Sequence, residues 1–94
     1  MSKYVFDYSN RARKFLLRHE DRLNQDILET ALIRAVRKLT KEEENNSDVK
    51  PMKPPFKGYE RLRIGDIRVI FSFKGSAVRI VSIFEIDFRG GIYL

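Results

Sequence analysis

Residues 59–93 read YERLRIGDIRVIFSFKGSAVRIVSIFEIDFRGGIY. From Ile67 to Phe73 the apolar residues Ile67, Val69, Phe71 and Phe73 alternate with Arg68, Ile70 and Ser72, the period of two of a strand buried on one face. Arg68 is then expected to point off the core. The Lys74-Gly75 pair predicts a two-residue hairpin turn, setting Phe73 opposite Ser76, Phe71 opposite Val78 and Val69 opposite Ile80. On that register one face carries Ile67, Val69, Phe71, Phe73, Val78, Ile80, Phe84 and Ile86. The other carries Arg68, Ile70, Ser72, Arg79, Val81, Ile83 and Glu85. A second turn is expected at Gly65-Asp66. Whether its central residues are Ile64-Gly65 or Gly65-Asp66, an odd position pairs with an even one, so Tyr59, Arg61 and Arg63 share the face of Arg68.

Several guanidinium groups on one sheet face, with few carboxylates among them, repel one another unless something anionic sits there. Phosphate is the natural ligand. Arginine presents a planar fork of donors that matches it, and stays charged through a phosphoryl transition state. The other reading is a solvated face whose basic residues guard a strand edge against aggregation.

The 94 residues, 43% apolar and 34% charged, suit one small domain spanning 1–94 with a modest core. The net charge of +6 is unevenly spread: residues 1–49 hold ten Lys/Arg against nine Asp/Glu, and residues 50–94 hold nine against four. The excess in the second half points to a polyanionic partner, nucleic acid or acidic protein. With no cysteine and one histidine, disulfides, thiolate chemistry and a structural zinc site are not expected, and no metal or cofactor is assigned. No apolar run has the length of a membrane span or signal peptide, so a soluble cytoplasmic protein is expected.

Tyr4 to Tyr8 alternates aromatic with other residues and predicts a short strand that joins the later sheet. Ser9 or Asn10 is positioned to cap a helix through Ala12, Phe15, Leu16 and His19. Asp21 is a second cap candidate, before a longer helix with the stripe Leu23, Ile27, Leu28, Ala31, Leu32, Ala35, Val36 and Leu39. Residues 40–57, TKEEENNSDVKPMKPPFK, lose periodicity and hold all three prolines. They predict a long loop able to hold Lys50, Lys53 and Lys57 beside the arginine face, or else a plain connector. Beyond the last strand, Arg89 and Tyr93 flank Gly90-Gly91. Such a tail suits a phosphate contact from Arg89 and base stacking by Tyr93.

This order of parts resembles the RelE/ParE superfamily of toxins from prokaryotic toxin–antitoxin systems. Tyr59-Glu60-Arg61-Leu62-Arg63-Ile64-Gly65-Asp66-Ile67-Arg68-Val69-Ile70-Phe71 is similar to the family's strand–turn–strand signature, in which a basic residue, Arg, Gly, Asp and Arg-Val-Ile recur at these spacings. The Tyr4-to-Ala12 opening and the closing Arg89-Gly90-Gly91-Ile92-Tyr93 support it. The resemblance implies an α+β, microbial ribonuclease-like fold: an N-terminal strand, a two-helix hairpin and an antiparallel three-stranded meander. It also implies a metal-independent endoribonuclease that cuts messenger RNA in the ribosomal A site by attack of a ribose 2′-hydroxyl, leaving a 2′,3′-cyclic phosphate. The implied partners are a RelB-like antitoxin, partly disordered when free, with the ribosome and mRNA; operator DNA would be met only through the antitoxin.

Carried over position by position, Arg61, Arg68, Arg89 and Tyr93 match catalytic positions of the family. Tyr59 stands where the best-known RelE branch has a catalytic lysine, and Asp87 falls near a tail position often occupied by Arg or His. Arg63, Tyr59, Lys53 and Lys57 are expected to bind substrate. Because arginine hardly ever loses its proton, Glu85, Asp87 or a loop lysine is the expected general base. Two other functions fit the same resemblance: ParE-like inhibition of DNA gyrase, for which Tyr59 speaks, and an inactive toxin-like module serving as corepressor.

Overall fold

A computed structural model describes residues 2–89. β1 (Lys3–Tyr8) leads into α1 (Asn10–Arg18) and α2 (Gln25–Leu39), followed by β2 (Asp48–Pro51), β3 (Glu60–Ile64), β4 (Ile67–Lys74) and β5 (Val78–Phe88). The strands form one sheet in the order β1-β5-β4-β3-β2, antiparallel except for the β1–β5 pair. This is the expected α+β plan of strand, two helices and meander, with one strand more.

The helices form where their caps and apolar spacing coincide. The Ser9 hydroxyl oxygen accepts from the Ala12 amide at 3.1 Å and starts α1. Asn24, rather than Asp21, caps α2 by accepting from the Ile27 amide at 2.9 Å. Leu23 therefore precedes the helix, although it is buried as its place in the stripe predicted. Leu28, Leu32, Ala35 and Val36 form the buried face of α2 and meet Ala12, Phe15, Leu62, Val69, Phe71, Val81, Ile83 and Ile86 in one core. Burying a side chain such as Phe71 or Leu32 contributes about 1.5–3 kcal/mol. Tyr4, Phe6 and Tyr8 turn toward that core, while Lys3, Val5 and Asp7 alternate on the other face.

The register of β4 against β5 departs from the expected two-residue turn. Lys74 lies opposite Ile80, Phe73 opposite Val81 and Phe71 opposite Ile83, so the connection is longer than Lys74-Gly75 and parity reverses. Val81 and Ile83, expected outward, are core residues, whereas Val78, Ile80 and Phe84, expected inward, are exposed. A bulge between Ile70 and Phe71 then restores the expected parity: Ile70 faces Glu85, Val69 faces Ile86 and Arg68 faces Asp87. The reversal also moves Arg79 to the core side. There it donates to the Tyr4 hydroxyl at 3.0 Å and pairs with Glu42 just beyond α2. The Thr40 hydroxyl, and then Arg79, hold the Glu42 carboxyl below its usual range.

At the other turn, Ile64 pairs with Ile67, leaving Gly65-Asp66 as the central residues. Gly65 has φ 60°, the conformation that a II′ hairpin requires at its first central position. The additional strand, β2, lies inside the stretch expected to be a loop. Proline marked that stretch as irregular, yet Pro51 is tolerated because β2 is an edge strand and its nitrogen owes no bond to a further neighbour. Among the described residues, no helix is long and apolar enough to cross a membrane.

Candidate functional site

The face of the sheet turned away from the helices carries its charges in rows fixed by register. Lys50, Arg61, Ile70 and Glu85 lie side by side across four strands, and Asp48, Arg63, Arg68 and Asp87 form the next row. The four arginine and lysine side chains thus sit together because β3 and β4 keep strict alternation through a two-residue turn, which puts Arg63 directly opposite Arg68.

The second row opens into a cleft of about 440 Å³ lined by Asp48, Arg63, Gly65, Asp66, Arg68 and Arg89. Arg68 is only 3% exposed. Arg89 is exposed and held at the end of β5, where its backbone amide donates to the Asp66 carbonyl at 2.7 Å. Gly65 leaves the floor of the turn open, with nothing within 4 Å of where a Cβ would lie. Three guanidiniums and two carboxylates line this cleft, and one of the carboxylates is already matched: Arg22, between the helices, donates to both Asp66 oxygens at 2.9 Å. Asp48 lies 3.0 Å from Arg61 and 3.5 Å from Arg63. The Arg61 side chain is nearly buried, and its Nε has no hydrogen-bond partner among the described residues. The cleft can therefore receive an anion, with the buried Arg68 flanked by the exposed Arg63 and Arg89 as its cations.

Sequence reasoning brought Arg61, Arg63, Arg68 and Arg89 to one side of the molecule, and all four are found at or beside this cleft. It placed too few carboxylates there. Asp48 lay hidden in the stretch without periodicity; the alternation of Asp48, Val49 and Lys50 is its one signal. Asp66 was read only as a turn residue. Lys53 and Lys57 are exposed in the β2–β3 connection, and among the described residues neither lines the cleft; Lys50 is the loop lysine that reaches the arginine rows. Tyr59 packs against Phe84, ring centroids 5.5 Å apart. Glu85 accepts from Arg11 at 2.9 Å, and Asp87 accepts from the Phe88 amide at 2.8 Å. Tyr93 lies outside the described residues. His19 packs with Phe15 and Phe88, its ring centroid 4.6 Å and 4.9 Å from theirs.

No family model and no curated protein sequence matches the chain. Solved structures do. The crystal structure of the E. coli DinJ–YafQ complex contains a chain similar to this one at TM-score 0.61 and 14% identity, covering 92% of this chain and 93% of that one. The YoeB/ParE toxin from Agrobacterium tumefaciens is similar at TM-score 0.58 and 15% identity, covering 95% and 99%. The toxin–antitoxin complex RelBE2 from Mycobacterium tuberculosis contains a chain similar at TM-score 0.54 and 23% identity, covering 93% and 99%. At these identities the likeness is one of fold, carried along nearly the whole chain, and it agrees with the strand–turn–strand signature at residues 59–71: the protein has the RelE/ParE-type toxin fold.

Proposed function

We propose that this protein is the toxin of a toxin–antitoxin pair, a cytoplasmic endoribonuclease that inhibits translation by cutting mRNA on the ribosome. The observation that carries the reading is the convergence of Arg63, Arg68 and Arg89 on one cleft, with Arg61 in the adjacent row. In this mechanism the guanidiniums grip the scissile phosphate, and their charge opposes the negative charge that builds as the ribose 2′-oxygen bonds to phosphorus. The 2′-hydroxyl proton leaves to a base, the bond from phosphorus to the 5′-oxygen breaks, and that oxygen takes up a proton. The products are a 2′,3′-cyclic phosphate and a 5′-hydroxyl, with no metal ion needed. Asp87, opposite Arg68, and Glu85, in the neighbouring row, are the carboxylates on this face suited to take the proton. Tyr93 is assigned to substrate stacking from the tail.

One of the similar structures, RelBE2 from Mycobacterium tuberculosis, is a toxin–antitoxin complex, and the YafQ chain is likewise found in complex with DinJ, which supports a cognate antitoxin as partner here. A segment disordered when free, carrying acidic residues against the basic face, fits such a partner.

One observation favours a second reading, inhibition of a DNA-handling enzyme by binding alone: both candidate bases already hold partners, Glu85 with Arg11 and Asp87 with the Phe88 amide. Inducing the protein in cells and mapping mRNA 5′ ends separates the two. Cuts clustered within translated frames are expected. Intact mRNA with a DNA-damage response would overturn the nuclease reading.

A further inference from the structure

Ser72 lies four residues along β4 from Arg68 on the same face, about 13 Å away at strand spacing. Beside it is a second depression, of about 340 Å³, lined chiefly by Asp7, Tyr59, Ser72, Ser82 and Phe84. Asp7 pairs with Ser82 and Ser82 with Ser72, so the three polar side chains form a row across β1, β5 and β4. Tyr59 continues that row beyond β3. Its backbone is held on both sides, its carbonyl accepting from the Met52 amide and its amide donating to the Phe56 carbonyl.

Phe84 is the extra residue of the β5 bulge. A bulge re-aims a side chain and leaves backbone groups without ladder partners. Here the Ser9 hydroxyl donates to the Phe84 carbonyl at 2.5 Å, while the Ser9 amide donates to the Ile83 carbonyl at 3.0 Å. The residue that caps α1 thus also locks the bulge, and the Phe84 ring stands 38% exposed against Tyr59 as a fixed aromatic ledge. An aromatic surface held open to solvent on a basic sheet face is what an unstacked base requires.

Asp7 is the second clue. Among the described residues its carboxylate takes part in no ion pair or hydrogen bond. A carboxylate on a phosphate-binding face repels the RNA backbone, so its presence makes sense if it accepts hydrogen bonds from a base. It offers two acceptors and no donor. The Watson–Crick edge of guanine presents two adjacent donors, N1–H and the 2-amino group. Adenine and cytosine present one amino group next to a ring acceptor that the carboxylate repels, and uracil presents a lone N–H between two carbonyls. The Ser72 and Ser82 hydroxyls are suited to donate to the guanine 6-oxygen.

We infer that this depression is a base subsite selective for guanine in single-stranded RNA whose phosphates occupy the arginine-lined cleft, an inference that rests on the RNA-cutting reading above. The test titrates the full chain with GMP, AMP, CMP and UMP while following the Tyr59 and Phe84 ring signals by NMR. GMP is expected to bind about tenfold tighter than the other three, in line with a bidentate base contact. Asp7→Asn should erase that preference, Phe84→Ala should weaken all four nucleotides by about tenfold through lost stacking, and Phe84→Tyr should restore binding. Equal affinities, or shifts confined to Arg63, Arg68 and Arg89, would overturn the subsite whether or not the protein cuts RNA. Guanine-selective binding by a protein that cuts no mRNA would overturn the cleavage reading instead and leave the subsite standing.

Discussion

Arg61 donates from Nη2 to Asp48 Oδ1 at 3.0 Å, tying a guanidinium on β3 to a carboxylate on the edge strand β2. The two ends of this bond differ: the Arg61 side chain is 8% exposed and that of Asp48 51%. A buried guanidinium cannot shed its charge and needs an acceptor. Asp48 supplies it and, 3.5 Å from Arg63, also offsets the repulsion between neighbouring arginines. The basic face is thus held together by one strand that the sequence disguised as a loop.

Asp48→Ala is expected to lower stability by about 1–2 kcal/mol, less than a fully buried pair would lose because Asp48 is half exposed to water. The same change makes the cleft more positive, so binding of short RNA should tighten and become more salt-dependent. Thermal melts and binding titrations at two salt concentrations check both. Stability and affinity moving in the same direction would remove Asp48 from this role.

Arg61 and Arg89 should separate. On exposure alone, Arg89→Ala is expected to change stability by no more than about 0.5 kcal/mol. Arg61→Ala removes a nearly buried side chain and its bond to Asp48, at a cost of about 1–3 kcal/mol, more than its outward face in the sequence pattern implies. Both variants should cut mRNA about 100-fold more slowly or worse. Melts and single-turnover cleavage on the same preparations measure the two effects.

The arginine face was legible because the Gly65-Asp66 turn preserves parity: either choice of turn residues leaves Arg61, Arg63 and Arg68 on one side. The β4–β5 hairpin was not, because Lys74-Gly75 has the composition of a tight turn while the chain uses a longer one and corrects the register with a bulge at Ile70/Phe71. Two offsets cancelled, so Glu85 and Ile86 fell on their expected faces and Val81, Ile83, Phe84 and Arg79 did not, while Asp87, expected just beyond the last strand, lies within β5 opposite Arg68. Local composition cannot reveal this, since Val-Arg-Ile-Val-Ser-Ile-Phe offers apolar residues at both parities. The caps divide in the same way: Ser9 starts α1 as expected, whereas Asn24, and not Asp21, starts α2, with Leu23 buried just ahead of it.

Gly75 fixes that longer turn. It has φ 93°, and a Cβ there would lie 2.0 Å from the Val78 carbonyl oxygen. Gly75→Ala therefore combines a strained backbone with a clash against main chain that cannot swing aside, and more than about 1 kcal/mol of stability should be lost. Gly58 also has positive φ, at 97°, but has nothing within 4 Å of a Cβ. Gly58→Ala should lose less. Denaturant unfolding of the two variants compares them directly; equal losses would show that backbone strain alone, and not the Val78 contact, sets the cost.

Glu60 gives the fold a pH dependence of unusual sign. Its residue lies opposite Phe71, Oε2 is buried without a hydrogen-bond donor among the described residues, and burial raises its carboxyl above the usual value. The folded chain then holds this proton more tightly than the unfolded chain. As pH rises through the usual carboxyl value the unfolded state ionises first and gains, so stability falls; once pH exceeds the raised folded value, the loss is complete. Glu60→Gln removes the ionisation while keeping the shape. The variant should melt a few degrees above the parent at pH 7, and the gap should close as pH falls below the usual glutamate value of about 4.3. A gap of the same size at pH 3 and pH 7 would mean that the carboxylate's burial is not its cause.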